Sequence, residues 1–152
     1  MGCKVQFKVS AQGHALQKTI EKISKSHVEV GFNEKSGSYG NGLSVAQVAM
    51  WNEYGTSRMC SRPFMRKTMY RTDEIRKIYL DVAKKMMTEG YKVKDVYTEI
   101  GQKVRERMQY EMLYGTYIPL SPITIARKGH DQPLIDTGKM YDGIRYEVKN
   151  GN

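Results

Sequence analysis

Two consecutive stretches of this chain repeat predominantly apolar residues every three or four positions. Met65, Met69, Thr72, Ile75, Tyr79, Val82 and Met86 form the first, and Val93, Val96, Ile100, Val104, Met108 and Met112 the second. At 3.6 residues per turn, each set lines one face of a helix. Arg62-Pro63-Phe64 marks the first start, because proline suits the opening turn of a helix. Gly90 marks its end. The pair predicts a long helical hairpin folded around Glu89-Gly90-Tyr91. Gly101 is a weak point in the second helix and marks a close contact or a bend.

The rest of the chain must help bury these stripes. Lys4 to Val9 alternates, with Val5, Phe7 and Val9 on one side, and predicts a half-buried strand. Ala15, Leu16, Ile20 and Ile23 share a helical face. His27 to Phe32 alternates again. Residues 33–43 are polar and glycine-rich and predict a flexible loop. Ser44 caps a helix running to Gly55, with Gln47 three residues on. Ser121-Pro122 opens a short helix ending at Gly129. Residues 134–143 predict a further helical turn, capped by Asp136 or Thr137. Ile144, Tyr146 and Val148 form a last strand. The expected architecture is one α+β domain over residues 1–152: a small antiparallel sheet of N- and C-terminal strands against a long helical hairpin and short helices.

Several classes of chemistry lack their residues. No apolar run reaches the 18 or so residues of a membrane span, and the N-terminus has no signal-type apolar core. Cys3 and Cys60 make no disulfide framework, so free thiols are expected. There is no GxGxxG, Walker lysine, CxxC or HExxH. His14, His27 and His130 have no metal-type spacing. Ser121, His130 and Asp136 form a triad on paper alone, since each has a plainer task as cap or turn residue. Asp73 and Glu74 sit where a helix start favours acids. Neither a metal nor a cofactor is expected.

Charge is more informative. The chain carries 25 basic and 16 acidic side chains, a net +9, and residues 61–90 alone supply 8 and 4 of these. Arg58, Arg62, Arg66, Lys67 and Arg71 follow one another with no acid among them. At helical spacing they form a positive strip that fits an acidic partner or a nucleic-acid backbone, or else the solvated side of a long helix. No aromatic interleaving or helix-turn-helix pattern accompanies it.

Two segments carry a resemblance. The first, "VAQVAMWNEYGTSRMCSRPFMRKTM", has the form aromatic-x-E-Y-G-T, a short loop, then R-P-F-M-R. The second, "LSPITIARKGHDQPLIDTGKMYDGIRYEV", joins L-S-P-x-T-I to P-L-I-D-T-G and a strand. In this order they resemble the tail-completion and head–tail joining proteins of tailed bacteriophages, also called minor capsid or virion morphogenesis proteins. The loop holding Met59 and Cys60 departs from that pattern. The resemblance implies a non-enzymatic virion protein, made in the host bacterial cytoplasm. It implies a homo-oligomeric ring, commonly of six, at the head–tail junction around the DNA channel.

Its implied partners are further copies of itself, head-connector and tail proteins, and channel DNA through charge. Subunit contacts are then expected at Trp51, Tyr54, Gly55, Thr56, Arg62, Pro63 and Phe64, with ordinary core the alternative for Trp51 and Phe64. Pro133, Leu134, Asp136, Thr137 and Gly138 are expected to serve the backbone, with Gly138 allowing a tight approach. A tail-terminator ring is the near alternative. A basic nucleic-acid-binding protein or nuclease is the alternative of another class.

Overall fold

The computed structural model describes residues 10–89 and 92–149. The predicted strand Lys4 to Val9, Cys3 and the turn at Gly90-Tyr91 lie outside them. The described elements run α1 (Ala11–Lys25), β1 (His27–Gly31), α2 (Val45–Tyr54), α3 (Phe64–Tyr70), α4 (Thr72–Glu89), α5 (Val93–Tyr114), α6 (Pro122–Lys128), α7 (Lys139–Asp142) and β2 (Arg145–Lys149). The two strands pair antiparallel, His27 opposite Lys149 and Gly31 opposite Arg145. Helices packed on a small antiparallel sheet make this an α+β fold.

Helix α5 is the spine of the molecule. Its first half, with Val96, Ile100 and Val104, packs on Ile75 and Val82 of α4. Its second half, with Met108 and Met112, joins a core of Val45, Ala49, Phe64, Leu134, Met140 and Ile144. The sheet crosses α5 at Gly101. A Cβ there would lie 2.7 Å from the Tyr146 ring and 2.8 Å from Val28. Close contact, the first of the two expected roles of Gly101, is therefore the reason for that glycine.

The first long helix is not continuous, contrary to expectation. It breaks at Arg71, whose ψ of 61° is outside the helical region. Helix α4 then restarts with Asp73 and Glu74 in its first turn, where acids complement the free N–H groups. The break changes the buried set to Phe64, Thr68, Ile75 and Val82, while Met69 and Tyr79 of the predicted stripe are exposed. Periodicity runs smoothly through position 71, so it carries no sign of this break.

Residues 33–43, read as a flexible loop, form a series of hydrogen-bonded turns. Asn33 and Ser36 cap one another around a short 3-10 turn. The Tyr39 N–H donates to the Leu43 carbonyl at 2.8 Å, and the Val45 N–H to the Gly37 carbonyl at 3.0 Å. The predicted caps at Ser44 and Ser121 are present.

Candidate functional site

The E-Y-G-T…R-P-F-M-R segment is organised by Glu53. Proline at position 63 offers no side-chain acceptor, so α3 begins without a cap of its own. Glu53, 1% exposed at the end of α2, supplies one. Its carboxylate accepts from the N–H groups of Met65 at 2.9 Å and Arg66 at 3.1 Å. It also accepts from the Arg66 Nε at 2.9 Å, while the other end of that guanidinium donates to the Glu53 carbonyl. Burial of this anion is compensated by three hydrogen bonds and a helix N-terminus. Tyr54 lies under the same guanidinium, 5.2 Å from its ring centroid.

The chain must double back between these helices, and Gly55 lets it. Its φ of 80° and ψ of 178° belong to glycine alone. A Cβ would also meet the Met59 carbonyl at 2.9 Å. Thr56 and Met59 close a tight turn, and the Arg62 N–H returns to the Asn52 carbonyl at 2.6 Å.

The expected strip of cations is largely paired within the molecule. Arg62 is 8% exposed and donates to the Ile118 carbonyl at 3.3 Å. Arg66 belongs to Glu53. Lys67 donates to the Thr116 carbonyl and lies over the Tyr117 ring. Arg71 meets Glu74 at 3.4 Å and Glu111 at 3.5 Å. Glu111 is itself buried and also faces Arg107 at 3.6 Å. Little of the predicted strip is therefore left unpaired: Arg58 sits on a turn, Arg62 before α3, Arg66 and Lys67 on α3 and Arg71 at the break after it, the last four against acids and carbonyls from α2, α4, α5 and the loop after α5.

Tyr117 closes this network, donating to the Glu111 carbonyl at 2.9 Å. Burial first, then the Glu111 charge, holds its phenol well above the usual tyrosine range. Gly115 is tight here too, because a Cβ would come within 2.5 Å of a Glu111 carboxylate oxygen.

The expected subunit contacts divide. Phe64 is fully buried, edge-on to Phe32 at 6.1 Å, and cannot anchor a neighbour. Arg62 is withdrawn likewise. Trp51, Gly55 and Pro63 are half-buried, and Thr56 is exposed. Tyr54 is 69% exposed. It lines an apolar groove of about 470 Å³ with Met69, Tyr70 and Tyr79 over a floor of Val28, Val30 and Val104.

A second cleft, of about 610 Å³, lies where the two familiar segments meet. The turn carrying Arg58, Met59 and Cys60 forms one wall, and residues from Ile118 to Met140 form the other. All five expected backbone residues belong to the second segment. Leu134 holds a φ of 61°, a conformation its buried side chain over-determines. Pro133 accepts from the Ile135 N–H at 2.7 Å. Thr137, not Asp136, contacts the start of α7, through the Lys139 N–H at 3.4 Å. Gly138 is needed for its φ of 77° rather than for a tight approach, since the nearest atom to a Cβ there is at 3.8 Å.

Ser121 is occupied as a cap, and the buried Nδ1 of His130 has no hydrogen-bond partner. Among the described residues no acid is hydrogen-bonded to that nitrogen as a triad would need. Among the described residues no group of three or more His, Cys, Asp or Glu side chains could hold a metal ion. No described helix is long and apolar enough to cross a membrane. Compared with known protein families, curated proteins and solved structures, the chain matches none.

Glu53, Glu111, Arg127, Lys128 and Lys139 were not singled out from sequence. Glu53 had a readable signal: an acid ahead of a Pro-started helix that has no cap of its own. Glu111 had none, because its partners converge from α4, α5 and the following loop.

Proposed function

We propose that the chain is a non-enzymatic structural protein of a phage or prophage virion, assembling as a ring at the head–tail junction. The observation that carries this reading is the apolar groove with its exposed rim. Tyr54, Met69, Tyr70 and Tyr79 are 69%, 53%, 77% and 45% exposed. Large aromatic and Met side chains gathered on one surface mark a protein contact more often than a solvated face. The paired motifs add support of a second kind. Glu53, Gly55 and Gly138 are devices for holding backbone in place, which suits a protein whose task is shape.

The paired cations bear on the alternative reading. With Arg66, Lys67 and Arg71 engaged internally, a nucleic-acid grip on that strip would have to break those contacts first. DNA contact through diffuse charge is the form that fits.

Mass photometry and electron microscopy of the full chain, alone and with head-connector and tail proteins, test the proposal. Closed rings are expected, and Met69→Glu with Tyr70→Glu should return them to monomers without unfolding. A chain that stays monomeric under all these conditions overturns the reading.

A further inference from the structure

The cleft between the Thr56–Met59 turn and residues 118–140 has an unusual charge environment. Arg58, Arg62, Arg127, Lys128 and Lys139 line it, against a single acid, Asp136. None of these five cations is within ion-pair distance of an acid among the described residues; Arg62 and Lys128 are hydrogen-bonded to the carbonyls of Ile118 and Gln132, so Arg58, Arg127 and Lys139 are the cations most open to a ligand. That contrasts with Arg66, Arg71, Lys85, Lys103 and Arg107, each of which is paired.

Lys128 is close enough to Arg62, Arg127 and Asp136 to feel all three, and burial holds its ammonium below the usual lysine range. Asp136 in turn acts on Tyr39, and the Lys139 ammonium lies 5.6 Å from the Tyr39 ring centroid. Beneath the charges the floor is apolar, with Leu43, Val48, Leu134, Ile135 and Met140.

We propose that this cleft binds an acidic peptide segment of a partner protein, its carboxylates on the cations and its apolar side chains on the floor. Cations gathered in a recess with no acid at ion-pair distance repel one another and are relieved by an incoming anion. Five cations against one acid ask for several negative charges. An apolar floor asks for side chains that a phosphate backbone does not carry. Tyr39 is the cleft's one aromatic, too little for the stacking that single-stranded nucleic acid uses. This surface is distinct from the apolar groove assigned to self-association, so the two proposals stand or fall separately.

The test is fluorescence anisotropy with a short labelled peptide of Glu, Asp and Leu, on the full chain. Binding should weaken as salt rises. Arg58→Glu with Arg127→Glu, both exposed positions, should weaken it about tenfold or more. Arg76→Glu with Lys77→Glu makes the same charge change on the exposed face of α4 and should alter affinity less than about twofold. Cys60 lines the cleft and its residue is exposed. In a Cys3→Ser chain, saturating peptide should slow maleimide labelling of Cys60. The proposal is overturned by equal loss in both variant pairs, by unchanged Cys60 labelling, or by no binding at low salt. Tighter binding and stronger Cys60 protection by a single- or double-stranded oligonucleotide also overturns it, assigning the cleft to nucleic acid instead.

Discussion

The cations around α3 to α5 and those of the cleft have the same formal charge and opposite situations. Around α3 to α5, Arg66 is held by a nearly fully buried carboxylate, and Arg71 and Arg107 share Glu111 and Glu74. These pairs fix a helix start and tie α4 to α5. In the cleft, Arg58, Arg127 and Lys139 are exposed, with no acid at ion-pair distance among the described residues. A folded chain gains nothing from gathering unpaired positive charge. The first group is explained by folding, and the second is what the peptide-binding proposal rests on.

The largest break in this contrast is expected at Glu53. Glu53→Ala removes the cap of α3 and leaves the Arg66 guanidinium without its carboxylate. A loss of about 2–3 kcal/mol in urea unfolding is expected from one lost cap and the charge-assisted bonds with it. A loss below about 0.5 kcal/mol would mean that the Glu53 contacts do not stabilise the fold.

Tyr117 sharpens the comparison through pH. Tyr117→Phe deletes the bond to the Glu111 carbonyl, and about 1 kcal/mol is expected. The phenol's folded pKa is raised above its unfolded value of 10.0. Its contribution is therefore complete below about pH 10 and is lost as pH climbs from there toward the folded value, because the unfolded chain gives up the proton first. Stability curves of the wild type and Tyr117→Phe should converge in that alkaline window. Parallel curves would show that the tyrosine does not titrate with unfolding.

The smallest effect is expected in the cleft. Arg58→Ala and Arg127→Ala should each leave unfolding free energy within about 0.5 kcal/mol of the wild type. A loss as large as that at Glu53 would show these cations to be structural and erase the contrast.

Much of the scaffold was legible in the residues themselves. The α5 stripe, the alternation of Val28 and Val30, and the caps at Ser44 and Ser121 follow from local periodicity and capping chemistry, which act within a few positions. Gly101 was legible as an anomaly, and its cause, the ring of Tyr146, lies 45 positions away. The break at Arg71 was not legible, because periodicity persists through it.

The candidate site was readable in part. Trp51 to Phe64 and Pro133 to Gly138 were identified as segments that matter, and Arg58 as an available cation. Their neighbours were not predictable from spacing. The five adjacent cations looked like one strip because helical spacing assumes a continuous helix. The break between Tyr70 and Thr72, together with Glu53, Glu111 and the carbonyls of Thr116 and Ile118, removed four of them from free display.

By itself, then, the sequence determined most of the helices but not the break at Arg71, together with the two described strands, the turn glycines and the net charge. Only the tertiary structure decided which cations are neutralised and which are left to bind. That outcome depends on acids and carbonyls brought in from distant positions, and on how little water remains to screen them.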